Sequence, residues 1–85
     1  MNNSLKLISG QKYKVIKSFT DYDKASHSVG ETWIFVKTNF SAYDDGLTLH
    51  VKPVFTANEV IYRFQWRAEE QADIIQNFKD FVEIC

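Results

Sequence analysis

Acidic residues and two histidines are concentrated in a few polar stretches, and their side-chain types could support chemistry. These residues are Asp21, Asp23, His27, Glu31, Asp44, Asp45 and His50. Oxygen-rich loops can hold a hard cation if they meet at one end of a domain. However, Asp21 and Asp23 lack the further ligands and terminal Glu of a calcium loop, and an Asp-Gly pair is what a turn selects. We therefore expect no metal and no cofactor, and keep a metal- or ligand-binding site in the acidic loops as a third alternative.

Catalytic chemistry has little support in these residue types. The single cysteine, Cys85, is the last residue of the sequence, where it is hard to hold in a rigid pocket beside a base. His27 falls in a polar loop, and His50 lies on the polar face of a predicted strand. No spacing among the carboxylates favours a pair for glycoside hydrolysis. We expect no catalytic residue and a protein that is not an enzyme.

Aromatic side chains make up 15% of the sequence and offer a different function. Trp33 and Phe35 share one face of a predicted strand, and Tyr22 and Tyr43 each lie inside an acidic loop. Exposed aromatic residues between polar neighbours are typical of protein and peptide contacts. The leading hypothesis is a non-enzymatic interaction module that binds a protein or peptide through these four residues. Burial of the same aromatic surface by a C-terminal helix is the competing explanation.

Basic residues occupy strand positions opposite the aromatic ones and suggest a second function. They are Lys12, Lys14, Lys37, Lys52, Arg63 and Arg67. Such a face could follow a phosphate backbone, with Tyr13, Trp33 or Phe35 as stacking platforms. Simple solvation of exposed strands explains the same pattern, and a net charge of −1 lacks the basic excess of nucleic-acid modules. Weak nucleic-acid binding by the basic strand face is therefore the alternative, and it is not favoured.

Four strands must position these residues. Polar and apolar residues alternate over 12–19, 47–52 and 60–66, which predicts half-buried strands. Residues 31–40 carry β-branched and aromatic side chains at both odd and even positions, as expected for a central strand covered on two sides. The Asp-Gly pair at 45–46 predicts a tight turn, with the glycine free to adopt a positive φ.

A helix should complete the domain, because apolar residues from 68 onward recur at spacings of three and four. The predicted organisation is one domain of residues 1–85, with a lead-in at 1–10, a sheet or barrel at 11–67 and a helix at 68–85. The fold class is mostly β with a C-terminal α-helix. It is either a strongly bent antiparallel sheet or an SH3-like barrel of four to five strands, and we favour the barrel.

Global properties restrict the partners further. One cysteine excludes an intrachain disulfide, and residues 1–10 are too short and polar for a signal peptide or a membrane span. We expect a cytoplasmic protein with no membrane contact. A homodimer through the helix or an edge strand stays open.

Several segments together are similar to a known family. They are Tyr13, Asp-Tyr-Asp at 21–23, Val-Gly-Glu-Thr-Trp at 29–33 and Tyr-Asp-Asp-Gly-Leu-Thr-Leu at 43–49. Over roughly residues 10 to 67 the chain resembles a family of small bacterial domains of uncharacterised function. The resemblance implies a shared fold and supplies no activity or site residue. The order of long loop, Gly-Glu, aromatic strand and tight turn is also similar to SH3-like barrels, which bind peptides, nucleic acid or cell-wall material.

Overall fold

Five antiparallel strands form the main sheet of the protein, in a computed structural model that describes residues 5–56 and 58–85. The elements are β1 (Lys12–Val15), β2 (Phe19–Thr20), β3 (Ser26–His27), β4 (Thr32–Ser41), β5 (Gly46–Pro53), β6 (Val60–Gln65), α1 (Glu69–Gln76), a 3₁₀ turn (Phe78–Asp80) and β7 (Val82–Ile84). The main sheet has the order β6-β5-β4-β1-β7, and β2 and β3 form a separate hairpin.

The sheet is open, with β6 and β7 at its two edges. A barrel would require these edge strands to pair with each other, whereas β7 pairs only with β1 among the described strands. The predicted mostly β fold, an antiparallel sheet with a helix near the C-terminus, is confirmed. The preferred closed barrel does not form, because β7 extends the sheet beyond β1.

The helix is shorter than predicted. It ends at Gln76, where Asn77 leaves the helical conformation and its side-chain amide donates to the Asp73 carbonyl at 2.9 Å. The chain then makes the 3₁₀ turn and returns as β7 along β1. The apolar residues Phe78, Phe81 and Val82 are buried in this turn and strand, so they reach the core without a continuous helix. Pairing decides the outcome, because β7 supplies hydrogen-bond partners along the edge of β1.

The predicted lead-in also contributes to the core. Leu5 and Leu7 are buried, and the backbone amide of Gly10 donates to the Phe35 carbonyl at 2.8 Å. This hydrogen bond joins the lead-in to β4 next to the point, between Phe35 and Lys37, where the pairing of β4 with β5 shifts register. The start of the lead-in, residues 1–4, lies outside the described residues.

Trp33 and Phe35 lie in the core, so two of the four predicted contact residues are not on the surface. Their exposed fractions are 0% and 2%. The register sets Phe35 opposite Val51 and Trp33 opposite Tyr13, and all four residues belong to the buried core. These two aromatic residues are therefore buried rather than exposed for contact.

Phe19 on β2 is the centre of an aromatic cluster within this core. Its ring lies 5.4 Å from Phe78, 5.8 Å from Phe81 and 6.0 Å from Phe64, measured between centroids. Two of these arrangements are edge-to-face, the geometry that the aromatic quadrupole favours. The cluster joins the hairpin, the edge strand β6 and the C-terminal segment.

The turn between β4 and β5 forms as predicted, with a different residue in the strained position. Asp45 adopts a φ of 58°, and Gly46 has no positive φ. The Asp44 carboxylate accepts the Gly46 amide at 3.0 Å, which lowers the pKa of Asp44. Asp tolerates the left-handed conformation better than most residues, so the preceding residue can take the role expected of the glycine.

Replacing Phe19 tests the aromatic cluster. Phe19→Ala should lower the free energy of unfolding by about 3–5 kcal/mol, because it removes a buried ring and leaves a cavity. Urea denaturation followed by tryptophan fluorescence measures this loss. Phe55→Ala is the control, since Phe55 is 85% exposed, and it should change stability by less than about 0.5 kcal/mol. Equal losses in the two variants would contradict the cluster.

Candidate functional site

His27 lies buried between two carboxylates. Its Nε2 is 2.8 Å from Asp21 Oδ2, and its Nδ1 is 2.9 Å from Glu31 Oε2. The ring stacks on Phe19 at 4.7 Å and lies 4.2 Å from the Tyr62 ring. Glu31 also accepts the indole N–H of Trp33 at 3.2 Å. His27, which the sequence placed in a polar loop, is thus a core residue.

These contacts leave His27 without a free nitrogen. Each ring nitrogen lies within hydrogen-bond distance of a carboxylate oxygen, so both nitrogens are engaged inside the core. The Asp21, His27 and Glu31 group therefore holds the hairpin against the sheet.

Asp21 also shapes the turn between β2 and β3. Its second oxygen, Oδ1, accepts the backbone amides of Asp23 at 2.9 Å and Ala25 at 3.0 Å. Lys24 adopts a φ of 67° within this turn. One carboxylate thus holds the turn backbone and the buried histidine together, and Tyr22 lies between these fixed points.

The hairpin is fastened to the edge strand β6 by a second set of bonds. The Tyr22 amide donates to the Arg63 carbonyl at 2.7 Å. The Arg63 guanidinium makes two hydrogen bonds with Asp23, of 2.6 and 3.0 Å, and this contact lowers the pKa of Asp23. Both side chains are exposed, so the pair positions the turn more than it stabilises the fold.

A cleft of about 510 Å³ separates this hairpin from α1. Tyr22 and Lys24 line the hairpin side, and Glu70, Gln71 and Ile74 line the helix side. Tyr22 is 50% exposed even though hydrogen bonds fix its backbone. The cleft therefore has a rigid frame, apolar walls and an accessible aromatic ring.

Gln71 is a buried polar residue of this cleft. Its amide nitrogen donates to the Thr20 carbonyl at 2.8 Å, and only 6% of the residue is exposed. Its amide oxygen, Oε1, is buried and has no hydrogen-bond partner among the described residues. Sequence reasoning missed Gln71, since a lone glutamine at a helical core position looks like any surface residue.

Tyr22 also faces a second, smaller cavity of about 150 Å³. Ser41, Asp44 and Gly46 line it from the β4–β5 turn. The two acidic loops of the sequence analysis therefore meet at Tyr22. Tyr43, the other exposed candidate, is 94% exposed and lines neither cavity.

The basic residues of the alternative hypothesis divide into two groups. Arg63 and Arg67 are engaged in ion pairs with Asp23 and Asp45. The four lysines lie on the outer face of the sheet; these are Lys12, Lys14, Lys37 and Lys52. The proposed stacking residues Tyr13, Trp33 and Phe35 are buried on the opposite face. None of those three rings therefore lies on the outer face beside the lysines.

The histidines and acids do not assemble a metal site in the described part of the chain. Within residues 5–56 and 58–85, no group of three or more His, Cys, Asp or Glu side chains is arranged to hold a metal ion. His50, predicted on a polar strand face, is 9% exposed and bonds to Asn39 and Glu59. In the same ranges, no helix has the length and apolar character needed to cross a bilayer.

Comparison with known proteins identifies a family and a structural relative. The family described as "Domain of unknown function (DUF3601)" matches residues 1–85. The chain belongs to this family. An integron cassette protein from the mobile metagenome of Vibrio cholerae has a similar structure, with a TM-score of 0.86 and 29% identity over 94% of this chain and 87% of that one. No curated protein matches the chain, so no relative supplies a function.

His27→Phe tests the role of the buried histidine. The variant keeps an aromatic ring beside Phe19 but leaves Asp21 and Glu31 without their donor, and it should lower the free energy of unfolding by about 3–5 kcal/mol. Adding Glu31→Gln should recover part of this loss. His50→Phe is the control and should cost less, because its carboxylate partner Glu59 is 40% exposed. Urea denaturation measures all three, and equal losses at both histidines would contradict the assignment.

Tyr62 should make stability depend on alkaline pH. Burial, followed by the negative charge of Glu31, raises the pKa of Tyr62 from 10.0 to about 12. The folded state thus holds the proton more tightly than the unfolded chain does. This contribution to stability is complete below about pH 10 and is lost as the pH rises towards about 12.

Urea midpoints of the wild type and Tyr62→Phe across this pH range measure the effect. The stability difference between the two proteins should change between about pH 10 and 12 and stay constant near neutrality. A difference that is constant over the whole range would show that Tyr62 ionises alike in the folded and unfolded chains.

Proposed function

We propose that the protein is a cytoplasmic, non-enzymatic interaction module that binds a protein or peptide in the cleft between the β2–β3 hairpin and α1. Tyr22 carries this proposal, because its backbone is fixed to β6 while half of the residue remains exposed between two cavities. A rigid, exposed aromatic ring contributes much contact area and loses little conformational freedom on binding.

The dimensions of the cleft support a ligand the size of one or two side chains. Its volume of about 510 Å³ falls within the range of about 300–1,000 Å³ typical of ligand sites. Ala68, Ile74 and Tyr22 contribute to its apolar walls. Such sites combine apolar walls with a few polar groups that fix orientation, and Gln71 is a polar residue of this cleft.

The absence of free catalytic groups in the described site supports a binding role over an enzymatic one. The carboxylate of Asp21 is occupied by His27 and the turn amides. Glu70 is the other acid that lines the cleft. Catalysis by proton transfer needs an acid or base beside a reacting group, and one exposed carboxylate on a helix is a weak basis for it.

Peptide selection tests the proposal. The folded wild-type protein is used to select binders from a library of random linear peptides, and the affinity of each selected peptide is measured by fluorescence anisotropy. Tyr22→Ala should weaken binding by about tenfold or more, the effect expected of a central aromatic contact.

Phe55→Ala is the matched control, because Phe55 is an exposed aromatic in the β5–β6 turn that lines neither cavity. It should leave affinity unchanged within about twofold. Circular dichroism and urea midpoints confirm that both variants are folded. Failure to select any peptide, or equal binding by wild type and Tyr22→Ala, would overturn the proposal.

A further inference from the structure

We infer that the cleft binds an arginine side chain of the partner polypeptide, an inference that rests on the function proposed above. The groups that line the cleft supply hydrogen-bond acceptors, an aromatic plane and an apolar wall. A guanidinium group on an aliphatic stem matches these features together, since it is planar and cationic and bears five N–H donors and no acceptor.

The buried amide oxygen of Gln71 is the first feature. It belongs to a residue that is 6% exposed and has no hydrogen-bond partner among the described residues. The other half of the amide is fixed by its bond to the Thr20 carbonyl, so turning the amide over would set two oxygens against each other. A buried acceptor without a partner is costly. Gln71 lines the cleft, and a ligand N–H that reaches its amide oxygen removes this cost.

The charge on the helix side is the second feature. Glu70 lines the cleft from the first turn of α1. The helix N-terminus itself carries about half a positive charge, which the full carboxylate charge of Glu70 outweighs. This side of the cleft therefore attracts a cation.

The aromatic ring is the third feature and favours arginine over lysine. Tyr22 forms the opposite wall, and a guanidinium plane can stack on an aromatic face while its edge donates to oxygens. An ammonium group is compact and strongly hydrated, and it cannot stack in this way. The methylene stem of either residue could pack against Ile74 and Ala68, so the head group makes the distinction.

Lys24 is the one cation among the residues that line the cleft. It is exposed on the hairpin turn, and its flexible side chain can move away from a bound cation. Its charge still opposes the ligand. Lys24→Gln should therefore tighten the binding of an arginine peptide, which is the opposite of the effect expected for an anionic ligand.

Three blocked tripeptides are suitable probes of the full chain: acetyl-Gly-Xaa-Gly-amide with arginine, lysine or citrulline at the centre. Citrulline has the shape of arginine without its charge. NMR titration of the ¹⁵N-labelled protein measures each affinity from the amide signals of Tyr22, Lys24 and Gln71. The arginine peptide should bind at least about tenfold more tightly than the citrulline peptide, and more tightly than the lysine peptide.

Glu70→Gln and Glu69→Gln form a matched pair of variants. Each removes one negative charge from neighbouring exposed positions, but only Glu70 lines the cleft. Glu70→Gln should weaken the arginine peptide by about tenfold and leave the citrulline peptide unchanged. Glu69→Gln should change either affinity by less than about twofold, because a charge outside the cleft is screened by solvent.

The possible outcomes separate this inference from the proposed function. Equal affinities for the arginine and citrulline peptides, or equal effects of the two glutamine variants, overturn the arginine assignment. If library peptides without arginine still bind and depend on Tyr22, the interaction cleft stands and only the side-chain assignment fails. If no peptide binds in a Tyr22-dependent way, the proposed function fails and the inference falls with it.

Discussion

The imidazole ring of His27 bonds to a carboxylate on each side and stacks against Phe19. Asp21 is part of the same group, and its second oxygen holds the turn that presents Tyr22. The hairpin consists of two short strands, and an isolated two-stranded hairpin is marginally stable. A buried polar group thus fixes the wall of a cleft whose other wall is a helix.

The helix α1 serves the core and the cleft at once. Ile75 packs among the buried residues, while Gln71 and Ile74 line the cleft. Because successive residues of a helix point in different directions, adjacent positions can divide these tasks. The segment that follows the helix contributes to the same packing, since Phe78 and Phe81 contact the ring of Phe19. The shape of the cleft therefore depends on core packing several residues away from it.

The family and the structural relative establish the fold but name no function, so the function is inferred from the site. A sheet of this topology can host many activities, and the relative from Vibrio cholerae, with 29% identity, is known by its genetic context as an integron cassette protein. The features that differ most among such domains are expected on loops and turns. The Tyr22 turn is one of these, held on a scaffold of five strands.

Of the strands, the sequence by itself determined β1, β4, β5 and β6 but not β2, β3 or β7; in β5, period-two alternation at Leu47, Leu49 and Val51 leaves one face to bury. It also identified Tyr22 as a surface aromatic. Only the tertiary structure decided the rest: where the helix stops, that Trp33 is buried, and that His27 lies between two carboxylates. Local patterns report which residues are apolar, whereas pairing along β1 and the enclosure of polar groups arise from segments distant in the chain. The cleft is such a feature, since its walls belong to a turn near residue 22 and a helix near residue 71.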